Sequence, residues 1–428
     1  MTNAGEAATP RRWLVAQGEG RALLAAAGAY FLLLAGYYML RSLREAFALE
    51  VGRDYIATLF YVTFVVMLGV LPLYWYVVAR LPRRRLFPVI YSAVILLFAA
   101  LALAIAAAPG ERVYAAVYFV AVTSLNLFIV SVFWSVMVDA WRSESARRLF
   151  GFIAAGGSAG AIAGPAFNAL FVERIGPSNT VLVACLLIFG AILLGRSAQR
   201  LEALTERNSD PDARLSLPVG GRAVDDLKRL VRSPYLLAIA ALIVCGQLLG
   251  GFMYQEQAKY VEQAYTTLGE RAALFARIDF AVSIASLAFQ TLVVGWLATR
   301  GGLKVALGAV PLLLAGSLVL LALVPIGSVL IATQVFRRAV DYGLFKPTRE
   351  MLFTVLNPES KFKSKSLIDT LLQRGGDSLS QALYPLVAGF GLVGVAWSLA
   401  GVSLGMMAVA VWLGARFGAR DDGAEQAS

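Results

Sequence analysis

The chain has 428 residues, of which 59% are hydrophobic and 15% are charged, with a formal net charge of +11. Soluble domains are about 45–50% apolar and about 25% charged, so this much apolar surface cannot be buried in one water-soluble globule. The absence of histidine excludes His-based acid–base catalysis, Ser-His-Asp triads and histidine-ligated metals. The composition therefore predicts a polytopic membrane protein that is not an enzyme, without catalytic residues, a metal site or a cofactor.

Twelve apolar runs are each near the ~20 residues needed to cross a ~30 Å hydrocarbon core. If the N-terminus is cytoplasmic, 27 of the 38 Lys and Arg residues lie in cytoplasmic segments and eight in outside loops. This asymmetry follows the positive-inside rule, so we attribute the basic charge to topology rather than to nucleic-acid binding. We predict both termini on the cytoplasmic side of a cell inner membrane. The predicted spans are approximately 22–40, 56–79, 89–108, 114–138, 152–172, 179–195, 235–254, 278–298, 305–325, 327–345, 368–391 and 392–415.

A polar, basic segment over residues 196–234 separates the first six spans from the last six. We predict a first half (1–195), a cytoplasmic linker (196–234), a second half (235–415) and a cytoplasmic tail (416–428). A weak internal repeat supports two equivalent halves, because Gly156-Gly157-Ser158 in span 5 has a counterpart in Gly375-Gly376-Asp377 of span 11. The predicted fold class is an all-α membrane protein with about twelve helices in two six-helix pseudo-repeats, as in major facilitator transporters.

Charged residues are concentrated in or beside three spans, although a charge at mid-bilayer costs roughly 3 kcal/mol and normally faces a cavity or a partner. They are Arg41, Arg44 and Glu45 at the outer end of span 1, Arg337, Arg338 and Asp341 in span 10, and Asp369, Arg374 and Asp377 in span 11. Intrahelical pairing, such as Arg41 with Glu45 or Arg337 with Asp341 at i,i+4, is one interpretation, and snorkelling of the span 1 group is another. The third is a substrate or coupling site between the halves.

The deep charges carry a surplus of arginine, which favours an anionic substrate because guanidinium groups bind carboxylate and phosphate bidentately. Five arginines are the predicted anion contacts: Arg41, Arg44, Arg337, Arg338 and Arg374. The acidic residues of these spans are predicted to act in pairing, gating or ion coupling, and Glu256 and Lys259 after span 7 in an outer gate. The predicted coupling or gating set is Glu45, Asp341, Asp369, Asp377, Glu256 and Lys259.

Several motifs resemble those of the ATP:ADP antiporter family, nucleotide transporters related to the major facilitators. They are Leu40-Arg41-Ser42-Leu43-Arg44-Glu45, Phe133-Trp134, Asp279-Phe280, Phe345-Lys346-Pro347-Thr348-Arg349-Glu350-Met351-Leu352, and Lys361, Lys363, Lys365 with Ile368-Asp369. The pattern departs from the family at Val122, where a glutamate is typical, and at Asp377, where a lysine is typical. The resemblance implies exchange of nucleotides such as ATP and ADP.

These observations together predict a secondary active transporter that moves an anionic metabolite by alternating access, working as a monomer in the lipid bilayer. No Gly-x-x-x-x-Gly-Lys-Ser/Thr loop is present, so ATP is expected as cargo rather than fuel. Two alternatives stay open at this point. One is a proton-coupled carrier of another small molecule, and the other is a membrane sensor that does not transport.

Overall fold

The computed structural model describes residues 19–81, 83–140, 143–205, 233–294, 302–352 and 372–425, and these ranges are almost entirely helical, with no strand. The first half contains six long helices. They are α1 (Glu19–Val51), α2 (Ile56–Arg80), α3 (Arg83–Ala107), α4 (Arg112–Ala140), α5 (Ser143–Ile175) and α6 (Pro177–Thr205). Helix α6 therefore continues ten residues into the segment predicted as a linker, and residues 206–232 lie outside the described ranges.

The second half begins with α7 (Pro234–Ala264) and α8 (Leu268–Ala288), and α8 continues into a π-helical turn at Phe289–Val294. Helix α9 (Gly302–Leu323) is followed by α10 (Gly327–Val340), a second π turn (Asp341–Phe345) and α11 (Lys346–Met351). The last elements are α12 (Gln373–Leu383), α13 (Pro385–Ala388) and α14 (Gly391–Glu425). The start of α8 is fixed by a capping box, in which Thr267 and Glu270 each bond the other's backbone N–H.

Ten of the described helices are long and apolar enough to cross a membrane. They correspond to predicted spans 1–9 and 12. Spans 10 and 11 are also helical where described, but a π turn at Asp341–Phe345 interrupts span 10, and turns at Tyr384 and at 389–390 interrupt span 11. Four charged residues lie in Arg337–Lys346 alone. The two least apolar spans thus carry most of the predicted site residues.

Helix α1 is the centre of the first half and packs against α4, α5 and α6. Its contact with α5 depends on three glycines, Gly156, Gly160 and Gly164, spaced four residues apart. A Cβ added at any of them would overlap a backbone carbonyl oxygen of α1, so only glycine allows the two backbones to approach this closely. This close packing sets the position of the charged part of α1.

The buried apolar residues form two clusters, one centred on α1 and α3–α6 and one on α7, α9 and α14. Helix α8 belongs to the second half by sequence, but it packs against α5 and α1 and contributes to the first cluster. Helices α2 and α12 also pack against each other across the halves. Between the contacts of α8 and the α2–α12 contact, residues of α1 and α10 line one cavity.

Candidate functional site

A cavity of about 340 Å³ lies between the two halves. Residues of α1, α2 and α4 line it from the first half, and residues of α7, α8, α10, the following π turn, α11 and α12 line it from the second. This volume is within the ~300–1,000 Å³ range of small-molecule sites. The cavity therefore has the size and the position of a substrate site shared by the halves.

The lining is strongly cationic. Of the ten charged residues that line the cavity, seven are basic and three are acidic, an excess of four positive charges. The basic residues are Arg41, Arg44, Arg337, Arg338, Lys346, Arg349 and Arg374, and the acidic ones are Glu45, Asp341 and Asp377. All five arginines predicted as anion contacts are therefore brought together at one cavity.

Four of the basic side chains have carboxylate partners. Arg44 pairs with its neighbour Glu45, and Arg349 with its neighbour Glu350 at 3.6 Å. Arg374 pairs with Asp377 one turn further along α12 at 3.4 Å, and Arg338 pairs with Asp279 of α8 at 2.5 Å. These four cations are largely neutralised where they stand.

Arg374 also connects the two halves, because its Nη2 donates to the backbone carbonyl of Thr123 in α4 at 3.3 Å. Its partner Asp377 accepts a further hydrogen bond from Gln247 of α7. Asp279, the partner of Arg338, is 3% exposed, lines a second cavity of about 150 Å³ and has one buried oxygen without a hydrogen-bond partner. A carboxylate this deeply buried depends on the arginine to compensate its negative charge.

The three remaining cations have neutral partners. Arg41 Nη2 donates to the hydroxyl of Tyr342 at 2.9 Å, and Arg337 Nε donates to Gln334 Oε1 at 2.9 Å. The Nζ of Lys346 lies 4.2 Å from the centre of the Tyr342 ring. Within the described part of the chain, none of these three has a carboxylate at ion-pair distance. Their charges are therefore available to an anion in the cavity.

The geometry corrects three expectations about the charged groups. Glu45 pairs with Arg44 and not with Arg41, because Arg41 turns toward the second half to reach Tyr342. Arg337 is not within ion-pair distance of Asp341, although both are described. The span 1 group does not snorkel, since α1 runs on to Val51 and its charged residues line the internal cavity.

The residues predicted for the outer gate do not line the cavity. Glu256 is buried and accepts a hydrogen bond from the hydroxyl of Tyr384 at 2.7 Å, and Lys259 is half-buried on the same helix. The two halves are instead joined near these residues by Arg53 and Glu262, whose Nε and Oε2 are 3.2 Å apart. Asp369 lies outside the described residues.

Aromatic side chains form much of the remaining wall. Seven of them line the cavity: Tyr37, Tyr38, Phe60, Tyr254, Phe275, Tyr342 and Phe345. Phe60 of α2 and Tyr254 of α7 meet edge to face across the halves, with ring centres 5.6 Å apart. The cavity thus offers flat apolar surfaces beside its cations, which suits a ligand that has both a ring system and anionic groups.

Four residues that line the two cavities are not among the predicted site residues: Lys346, Arg349, Asp279 and Tyr342. Lys346 and Arg349 follow the predicted end of span 10 at residue 345, although they fall in one of the motifs that carry the family resemblance. The π turn over Asp341–Phe345 changes the facing of the residues around it, so a uniform 3.6-residue period gives the wrong faces here. The motif was the available signal for both basic residues.

Comparison with known proteins gives a match to one family model and to two relatives. Residues 306–417, within the second half, match the family described as TLC ATP/ADP transporter. The chain is 24% identical over 180 residues to ADP,ATP carrier protein 1 of Chlamydia muridarum, a match covering 35% of this chain and 32% of the relative. It is 23% identical over 197 residues to the protein of the same name from Chlamydia trachomatis serovar D, covering 38% and 35%. The chain thus spans about a third of the length of these relatives.

Solved structures share the fold over nearly the whole chain. A POT family transporter in complex with 5-aminolevulinic acid has a TM-score of 0.63 at 13% identity, covering 94% of this chain and 99% of its own. A mutant of the nucleoside transporter NupG has a TM-score of 0.57 at 13% identity, covering 93% and 99%. The resemblance predicted from the sequence is confirmed: the chain is a multi-pass membrane protein with a major-facilitator-like fold, and it is similar to the TLC ATP/ADP transporter family.

Proposed function

We propose that this protein is a secondary active transporter that carries an anionic, phosphate-bearing metabolite through the cavity between its halves by alternating access. The observation that carries this proposal is that three cations of the lining, Arg41, Arg337 and Lys346, have only neutral partners among the described residues. Such uncompensated positive charge is costly in a membrane interior unless water or an anion compensates it. An anionic substrate that enters the cavity removes that cost, and it is contacted by both halves at once.

The substrate proposed within this class is a nucleotide, exchanged as ADP against ATP. Arginine donors match phosphate oxygens, and the aromatic lining can stack a base, which contributes about 1–3 kcal/mol per base in single-stranded nucleic-acid complexes. The similarity to the TLC ATP/ADP transporter family and to the chlamydial carriers supports the same choice. ATP is then cargo, and the protein is not an enzyme.

The proposed roles of the site residues follow from their partners. Arg41 and Arg337 contact the anion directly, and Lys346 joins them, since these cations are not neutralised. Arg44, Arg338 and Arg374 contribute to the electrostatic potential of the cavity while each is paired with a carboxylate. Pairing, coupling or gating is proposed for Glu45, Asp341, Asp369, Asp377, Glu256 and Lys259.

The proposed topology places both termini on the cytoplasmic side of a cell inner membrane, with halves at 1–195 and 235–415, a linker at 196–234 and a monomer as the working unit. In that orientation the Arg53–Glu262 ion pair and the Phe60–Tyr254 contact lie on the outer side of the cavity. The halves thus meet on the outside, as expected for a state in which the cavity communicates with the cytoplasm.

The test is uptake of labelled ATP and ADP by intact host cells that express the protein, with cells carrying the empty vector as background. Uptake is measured with and without preloaded unlabelled nucleotide, and with the proton gradient intact or collapsed. Saturable uptake that requires internal nucleotide and survives loss of the gradient is the expected result.

Two outcomes overturn parts of this proposal. No nucleotide uptake by protein that is folded in the membrane excludes nucleotide exchange. Uptake of a different cargo that stops when the proton gradient collapses supports a proton-coupled carrier instead. Asp341, a cavity carboxylate with no ion pair among the described residues, is then the first residue to change.

A further inference from the structure

Tyr342 occupies an unusual position at the junction of the two halves. It is the second residue of the π turn over Asp341–Phe345, and its side chain lines both the central cavity and the smaller one beside Asp279. π-helical turns of this kind are frequent at functional sites because they change which side chains face a given direction. The turn here presents a phenol, rather than an aliphatic side chain, toward α1.

The phenol holds two cations from opposite halves. Its hydroxyl accepts a hydrogen bond from Arg41 Nη2 at 2.9 Å, and the guanidinium carbon of Arg41 lies 5.6 Å from the ring centre. Lys346 lies over the same ring, with Nζ 4.2 Å from the centre. Contacts of cations with an aromatic face are favourable, more so when the groups are partly removed from water. One side chain thus contacts a cation from each half.

A neutral partner has a different consequence from a carboxylate. Glu45, Asp279 and Asp377 orient their arginines but also cancel their charge. The phenol orients Arg41 and leaves its charge intact, and most of the guanidinium N–H donors remain free for a ligand. Preorganisation of this kind improves binding because less side-chain freedom is lost when the ligand arrives.

We propose that Tyr342 is a positioning residue of the anion site: it sets Arg41 of the first half and Lys346 of the second half so that both charges converge on one anionic group of the substrate. This rests on the proposed function, in that the cavity must bind an anion. A side chain without a positive charge thereby raises the affinity of the cavity for an anion.

The test measures binding of inorganic pyrophosphate to the purified full chain in detergent by calorimetry. Tyr342→Phe keeps the ring over both cations and removes only the hydroxyl, so we expect the Kd to rise about 5–10-fold. Tyr384→Phe is the matched control, since it removes a phenol hydrogen bond of 2.7 Å that lies outside the cavity lining. The control is expected to change the Kd less than about twofold.

A double-mutant cycle with Arg41→Gln separates positioning from a general structural effect. If the hydroxyl acts through Arg41, Tyr342→Phe has less than about a twofold effect in the Arg41→Gln background. An unreduced effect in that background overturns the proposal, and so does a Kd for Tyr342→Phe equal to that of Tyr384→Phe.

The same titrations with ADP and ATP separate this inference from the proposed function. One outcome is that pyrophosphate binds with an affinity that depends on Tyr342 through Arg41 while ADP and ATP do not bind at all. In that case the role proposed for Tyr342 is supported and nucleotide exchange is excluded. If the wild-type chain binds none of the three, the cavity is not a phosphate site and both proposals fall. If all three bind and Tyr342→Phe is like its control, only the role of Tyr342 falls.

Discussion

Replacing Arg337 by glutamine removes one positive charge from the cavity without leaving a buried partner charge behind. Arg337 donates to the neutral Gln334 and forms no ion pair among the described residues. The fold should therefore be preserved, because no uncompensated carboxylate is created. Anion binding should lose one charge-assisted contact of about 2–3 kcal/mol, which is roughly a 30- to 150-fold rise in Kd.

The assay is nucleotide exchange in proteoliposomes, together with thermal unfolding of the same preparations in detergent. Arg337→Gln is expected to unfold close to the wild-type temperature and to show little exchange at substrate concentrations that saturate the wild type. Arg374→Gln is the contrasting variant, since it leaves Asp377 without its arginine and should lower stability by about 1–3 kcal/mol as well. Arg374→Gln with Asp377→Asn should recover that stability. Normal exchange by Arg337→Gln would refute the assignment of the cavity as the anion site.

Further predictions concern packing and pairing, and thermal unfolding in detergent checks each of them. Arg338→Gln should lower the free energy of unfolding by about 3–5 kcal/mol, because it leaves the buried carboxylate of Asp279 without its ion pair. Adding Asp279→Asn should restore most of that loss. Equal stability of the single and double variants would contradict the pairing. Gly160→Ala should lower the free energy of unfolding by about 1–3 kcal/mol, since the new Cβ would overlap a backbone carbonyl oxygen of α1. Gly151→Ala is the control and should leave stability unchanged, because no atom lies within 4 Å of the Cβ that it adds. Thr267→Ala should lose about 1 kcal/mol through its helix cap, and no shift would mean that the end of α8 is frayed.

The helical fold could be predicted from the sequence because its signals are strong and redundant. Apolar runs of membrane length give ten of the predicted spans, and the polar, basic segment 196–234 predicts the division into halves. Helix ends were less predictable. Helix α1 was expected to finish near residue 40, yet it continues to Val51, because the polar residues after Leu40 face an internal cavity rather than water.

The sequence indicates which charged residues lie within the spans, but it does not indicate how they pair. Intramembrane charges are costly, so their convergence on one cavity followed from their presence in apolar spans. The carboxylate with which an arginine pairs depends on the direction of its side chain and on the helices that lie next to it. Arg338 takes Asp279, which is 59 residues away in sequence and on another helix. The spacing of charges within one helix cannot show such a partner, since it relates only residues three or four positions apart.

The distribution of free charge between the halves gives a physical reason for exchange on the proposed function. Arg41 comes from the first half, while Arg337 and Lys346 come from the second, and neutral groups hold all three. Closing an empty cavity would bring these cations together and strip their water, which is unfavourable in a medium of low dielectric constant. A bound anion compensates them, so the loaded carrier can close and reopen on the other side. An empty carrier is then held on the side where it released its cargo until another anion binds.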